Sequence, residues 1–191
     1  MRLDFKEQDP RLGKGLQRYD SNFLDNVDEN YNLKIFHEEV LPIILPFTNS
    51  SDTLLDVGCG NGRIASSLSK YFYRIHAIDP YCEVNPSYIG KNIIYIKSFF
   101  GDFELSDRYN IILFYGSFYL MNNYTYEITF EKIRDLLSDN GKLIIYDDVR
   151  RKSREKVIGY YDLDSLIKYG NFTMLVDHVI TNGMYRISIL K

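Results

Sequence analysis

Past residue 50, short apolar runs alternate with stretches whose apolar positions recur at helical spacing. TLLDV (53–57) is a largely apolar run leading into a glycine-rich turn, the pattern of a strand buried on both faces. In RIASSLSKYF behind it, Ile64, Ala65 and Leu68 share one face of a predicted helix. Further strands are predicted at RIHAID (74–79), NIIYIK (92–97), NIILFYG (110–116) and KLIIYDD (142–148). Before the last of these, Tyr126, Phe130, Ile133 and Leu137 fall at i, i+4, i+7 and i+11, an amphipathic helix. Asn140-Gly141 is expected to close it, both residues tolerating a left-handed cap. Upstream, Phe36, Val40 and Ile43/Ile44 predict a helix from Leu33 to about Leu45, ended by Pro46 and kinked at Pro42. A short helix is expected from Asp162, a plausible cap, to Tyr169.

The tail changes character. TMLVDHVI and MYRISIL are strand-like runs joined by Thr181-Asn182-Gly183, and Asn-Gly is a strong hairpin signal. Alternating strands and helices demand parallel strands with helices on both faces, so the class is α/β, doubly wound. The first thirty residues mix both charge signs without a fixed apolar period and read as an arm ordered only by the main body. The expected organisation is one domain over 1–191, with an N-terminal arm or lid at 1–32 and a catalytic core at 33–191.

Composition narrows the function classes. A chain of 191 residues with 45% hydrophobic positions can bury one substantial core. Its formal charge of −3 argues against a chain held mainly by nucleic-acid phosphates or anionic lipid, although a local basic patch is compatible with it. MRLDFKEQDPRL lacks the apolar core of a secretory signal, and VLPIILPF and IILFYGSFYLM are too short for a membrane span. Two cysteines, Cys59 and Cys82, give no disulfide framework, and no ligand spacing points to a metal. A cytoplasmic protein, monomer or homodimer, is expected.

The informative stretch is Leu54-Leu55-Asp56-Val57-Gly58-Cys59-Gly60-Asn61-Gly62-Arg63, running from a buried strand into a helix. Glycines at alternate positions let the backbone turn tightly and approach a ligand with no Cβ in the way. Free N–H groups at the helix start suit a carboxylate or phosphate. Asp79, ending the second strand 21 residues beyond Gly58, can accept hydrogen bonds from both hydroxyls of a ribose. Together these features describe a nucleoside-containing ligand. A dinucleotide fingerprint needs a third glycine where Arg63 stands, and Asp56 would place negative charge near a pyrophosphate but sits well near an ammonium or sulfonium group. A cationic amino-acid nucleoside is favoured over NAD.

LLDVGCGNGR followed by AIDP resembles the first two motifs of the class I S-adenosylmethionine (SAM)-dependent methyltransferases. The resemblance implies a Rossmann-like three-layer sandwich with a mostly parallel seven-stranded sheet and a C-terminal antiparallel hairpin. It implies SAM as cofactor, with Asp56, Gly58, Cys59, Gly60 and Gly62 in the loop under its methionine part. Asp79, followed by Pro80, would hold the ribose hydroxyls. Ser98 falls where the family usually has an acidic adenine ligand, a departure, with Asp102 as the alternative; Phe99 would pack on adenine or belong to the core. Tyr115-Gly116-Ser117, at the end of the fourth strand, would face the sulfonium.

Methyl transfer from a sulfonium is an in-line displacement with a neutral leaving group, so the protein's main task is alignment and exclusion of water. No residue announces itself as a catalytic base. Tyr19 and Tyr119 are the candidates for contacting the acceptor, and His37, His76 and His178 read as structural. The aromatic run Phe114, Tyr115, Phe118, Tyr119 suits either a ring-lined pocket or a plain core. A small-molecule acceptor bearing an O or N nucleophile is the leading expectation. The basic run Arg150–Lys156 keeps an RNA or protein substrate open, and a non-catalytic SAM-binding module is a third possibility. No Asn/Asp-Pro-Pro-aromatic motif follows the fourth strand, which disfavours an adenine-N6 or glutamine enzyme.

Overall fold

A computed structural model describes residues 29–81, 83–104, 107–118, 126–148, 170–180, 183 and 185–191. The expected arm up to residue 28, the helix at 162–169, the run Arg150–Lys156, and Tyr19, Cys82 and Tyr119 lie outside the described residues. Among the described residues, β1 (Thr53–Val57), β2 (Arg74–Ile78), β3 (Ile93–Ile96), β4 (Tyr109–Tyr115), β5 (Leu137–Asp148), β6 (Met174–Ile180) and β7 (Tyr185–Leu190) form one seven-stranded sheet. Its order is β3-β2-β1-β4-β5-β7-β6. The first five strands pair in parallel, and β7 runs antiparallel to both β5 and β6. The strand order reverses between β1 and β4, and the crevice at such a point is where open α/β sheets bind ligands.

Strand alternation divides the core in two. On one face, Ile64, Ala65 and Leu68 of helix α3 (Arg63–Leu68) pack with Phe36, Val40, Leu41 and Ile44 over Leu54, Ile75 and Leu113. On the other, Phe130, Ile133 and Leu136 of α4 (Tyr126–Leu136) cover Leu55, Ile112, Phe114 and Ile145. Helices on both faces of a mostly parallel sheet make the expected three-layer α/β sandwich.

Two local expectations are corrected. The first helix is not a single kinked α-helix beginning at Leu33. Among the described residues it is already helical before Leu33, as α1 (Glu29–Ile35), widens into a π-helical turn (Phe36–Val40), resumes as α2 (Leu41–Ile44) and ends in a 3-10 turn (Leu45–Phe47). Pro42 has no N–H for the carbonyl four residues back, and the backbone adjusts before it: Leu41 N–H donates to Phe36 O. Nor is Asn140-Gly141 a left-handed cap, for neither residue has a positive φ. Strand β5 begins directly after α4, with Leu137 paired to Tyr109 and the register shifting before Ile111 meets Lys142. A Cβ on Gly141 would come within 2.9 Å of the Tyr109 and Ser138 carbonyl oxygens, so the glycine serves close backbone approach rather than a turn.

Candidate active site

At the tip of β1 the chain turns into α3 through Gly58, Gly60 and Gly62, all left-handed with φ of 78°, 55° and 91°. The loop is pinned to β2, because Gly58 N–H and Cys59 N–H both donate to Ile78 O, at 2.8 and 3.1 Å. Two of the glycines are also required by their neighbours. A Cβ on Gly58 would collide with the Ser117 side chain, whose hydroxyl donates to Val57 O. A Cβ on Gly62 would lie 2.7 Å from the Tyr95 hydroxyl, which donates to Tyr88 O at 2.9 Å. Cys59 is buried beneath the loop. One helix-start donor is already engaged, Arg63 N–H reaching Asn61 Oδ1 at 3.4 Å.

Asp56 is wholly buried on the α3 face, and neither carboxylate oxygen has a hydrogen-bond partner. Burial, reinforced by the Asp79 charge, pushes its carboxyl up to about 7. A fold gains nothing from an orphaned buried carboxyl; beside three left-handed glycines it fits a ligand that brings its own cation.

Asp79 stands one strand over, at the end of β2. Its two oxygens accept from Tyr81 N–H at 2.7 Å and Gly60 N–H at 3.1 Å, and each keeps a lone pair for a further donor. Burial raises this carboxyl, while those two N–H groups and the Lys97 charge oppose the rise. The carboxylate thus ties the glycine loop to the β2 tip while remaining able to accept from vicinal hydroxyls.

Pro80 is half-buried in the turn after Asp79. Ser98 and Phe99 follow β3; the Ser98 hydroxyl donates to Phe99 O at 2.9 Å and retains acceptor capacity. Phe99 is half-buried, belongs to neither core cluster, and meets the Tyr81 ring edge-on at 6.2 Å. Tyr81 was not foreseen, although its place two residues after Asp79 is a usable signal. Asp102, the alternative to Ser98, is exposed.

The run at the end of β4 splits by strand period. Phe114 and Phe118 join the apolar face, 5.0 Å apart and edge-on, while Tyr115 points to the opposite one. There it stacks on Tyr146 at 4.4 Å, Tyr146 stacks on Tyr185 at 5.1 Å, and Phe36 meets Tyr115 edge-on at 5.5 Å. The Tyr115 hydroxyl is buried and forms no hydrogen bond of ordinary geometry, although its contact with Tyr146 couples the two phenols. Burial pushes Tyr115 up to about 12, against the opposing effect of Tyr146, and raises Tyr146 further, so both phenols stay protonated. Tyr146 and Tyr185 carried no signal of their own, since only the sheet register brings them to this edge.

The three histidines take no part. His76 is buried in the middle of β2, bonded to Tyr109, and His37 and His178 are exposed. Among the described residues no helix is long and apolar enough to cross a membrane.

Comparison with known proteins agrees with this geometry. A family model described as a methyltransferase domain matches residues 24–172, more than half of the chain. No curated protein matches the chain. Among solved structures, the DhpI complex with S-adenosylhomocysteine (SAH) has a TM-score of 0.74 at 12% identity, covering 94% of each chain. The N-methyltransferase NodS from Bradyrhizobium japonicum WM9, in complex with SAH, has a TM-score of 0.68 at 16% identity, over 94% of this chain and 97% of its own. A TehB-like SAM-dependent methyltransferase from Corynebacterium glutamicum ATCC 13032 Kitasato follows at 0.61 and 14%, over 95% and 97%. At these identities the likeness is one of fold. Fold, glycine loop and family match converge, and the chain belongs to the class I SAM-dependent methyltransferases.

Proposed function

We propose that this SAM-dependent methyltransferase acts on a small organic acceptor, and that residues 33–191 form its catalytic core with the first 32 as an arm over the acceptor side. The observation that carries the reading is the character of the crevice edge. Among the described residues it presents the carboxyl groups of Asp56 and Asp79 and an aromatic wall of Phe36, Tyr115 and Tyr146, the lining that suits a small organic molecule.

In this reading Asp56, Gly58, Cys59, Gly60 and Gly62 cradle the methionine part of the cofactor, Asp56 facing its ammonium. Asp79 accepts from the ribose hydroxyls, with Pro80 and Tyr81 shaping that side. Ser98 and Phe99 take the adenine, and Tyr115 stands toward the sulfonium. When bound, SAM supplies an activated methyl group whose sulfur departs as a neutral thioether. The residues then have only to orient the acceptor in line and exclude water.

Calorimetry with SAM and SAH tests the site. Binding in the micromolar range is expected. Asp79→Ala should weaken it about 100-fold, the loss of two charge-assisted hydrogen bonds of about 1.5 kcal/mol each. Absence of binding, or binding of NAD in its place, would overturn the reading.

A further inference from the structure

Gly60 and Gly62 differ in what surrounds them. Among the described residues nothing comes within 4 Å of a Cβ built on Gly60, so that part of the loop is open to a ligand. A Cβ on Gly62 would instead meet the Tyr95 ring and hydroxyl, at 2.7, 2.8 and 2.9 Å. Tyr95 cannot withdraw cheaply. It stands on the edge strand β3, packs against the apolar cluster on the α3 face, and its hydroxyl lies 2.9 Å from Tyr88 O and 3.3 Å from Gly62 O. A hydroxyl has one proton to give; the shorter contact with Tyr88 O takes it, while Gly62 O accepts its helical bond from Ser66 N–H at 2.9 Å.

A second tie runs beside the first. Asn85 N–H donates to Asn61 O at 3.1 Å, just ahead of the 3-10 turn Pro86–Tyr88. The segment 85–90 is therefore fastened to the glycine loop twice, by backbone at Asn61 and by the Tyr95 side chain at Gly62. In the chain that segment follows Asp79 and Tyr81, so one phenol on an edge strand links the glycine loop to the stretch that leaves the ribose carboxylate. On the opposite flank Ser117 of the β4 tip fills the space beside Gly58 in the same manner.

We propose that Tyr95 is a positioning residue for cofactor binding: from outside the crevice it sets the last turn of the glycine loop and holds that turn to segment 85–90. This rests on the glycine loop being the SAM cradle, as proposed above. A loop with three left-handed glycines has many conformations available when free, and the cradle is one of them. A side chain that fixes this conformation beforehand leaves less ordering for the ligand to bring about, and affinity rises accordingly.

Calorimetry with SAH on the full-length protein tests the assignment. Tyr95→Phe keeps the ring beside Gly62 and loses only the hydroxyl; SAH affinity should fall about 3- to 10-fold, the worth of one neutral hydrogen bond. Tyr109→Phe removes a phenol oxygen from the same sheet and should lower Tm without moving SAH affinity, so lost stability alone does not account for the fall. Amide exchange in the cofactor-free protein locates the change. The N–H groups of Asn85 and of Gly62, which donates to Cys59 O at 3.0 Å, should exchange faster in Tyr95→Phe. Ile75 N–H, bonded to Asn92 O at 2.9 Å, should keep its wild-type rate. Unchanged SAH affinity in Tyr95→Phe, or exchange that quickens evenly over β2 and β3, overturns the positioning role. A wild-type protein that binds no SAH overturns the cofactor site itself, and the positioning role with it.

Discussion

The two ends of the sheet treat their carboxyl and phenol groups in different ways. At the end where the parallel strands begin, the larger polar side chains pair with one another: Arg74 Nη2 meets Asp107 at 2.8 Å, Asn110 Oδ1 accepts from Thr53 N–H at 2.9 Å, and Tyr109 lies 2.6 Å from His76 Nδ1, while Arg74 Nε and the Ser138 hydroxyl are left without a partner. Burial lowers the His76 ring's affinity for protons and raises the Tyr109 phenol, so the bond joins a neutral imidazole to a protonated hydroxyl. At the end where those strands finish, Asp56 and the Tyr115 hydroxyl are buried without comparable partners. Tyr109 and Tyr115 sit on the same strand, β4. Of these two phenols on one strand, the one that serves folding has its partner within the fold, and the one at the ligand edge has none of ordinary geometry.

The largest expected consequence lies in Asp56. Its folded carboxyl titrates at about 7, above the unfolded value of 3.8, so between these limits the native state holds a proton that the unfolded state has lost. Stability of the cofactor-free protein is therefore full below about pH 4 as far as this group is concerned and falls as pH rises toward 7, by roughly 4 kcal/mol at most. Thermal unfolding across that window should show the decline, and Asp56→Asn, neutral throughout, should flatten it while weakening SAH binding. Cofactor affinity should run the other way and rise with pH as Asp56 ionises against the ammonium. A wild-type melting profile that stays level would remove the contrast between the two ends.

The paired end gives a smaller effect of opposite kind. Tyr109→Phe leaves His76 Nδ1 buried without its partner and should cost about 1–2 kcal/mol, or roughly 2–8 °C in Tm. SAH affinity should not change, since Tyr109 stands at the other end of β4 from the glycine loop. Altered affinity would mean that the two ends are coupled through the sheet.

What could be read in the chain beforehand follows the same division between local and remote partners. Asp56, the glycines and Asp79 declare themselves because strand, turn and helix start are contiguous in sequence and their spacing is chemically specific. The β-α alternation and closing hairpin are legible for a similar reason, each strand carrying its own apolar pattern. The tyrosine row was only half legible: Tyr115 could be placed at a strand tip, but Tyr146 becomes its neighbour through β4–β5 register and Tyr185 through β5–β7 pairing. The contact of Phe36 with Tyr115 was hidden as well, since a π-turn in the first helix sets where that ring falls. Asn140-Gly141 misled in the opposite direction, since a dipeptide suited to a turn was there because two carbonyl groups crowd the Gly141 Cα.

The finest distinction rests on one hydroxyl. Tyr115→Phe removes an oxygen with no well-formed hydrogen bond and keeps the ring that stacks on Tyr146 and meets Phe36. Losing a polar atom that folding does not use should leave cofactor-free stability within about 0.5 kcal/mol of wild type, or raise it slightly. The same loss of a hydroxyl on the same strand thus destabilises at position 109 and is nearly silent at 115, because only the first orphans a partner. Turnover should reverse the ranking: Tyr115→Phe slows methyl transfer several-fold by removing a hydroxyl proposed to stand toward the transferred methyl, whereas Tyr109→Phe, assayed well below its lowered Tm, transfers at the wild-type rate. If Tyr115→Phe instead loses stability on the scale of Tyr109→Phe, its hydroxyl has a structural partner, and the open end of the sheet is no more specialised for a ligand than the closed one.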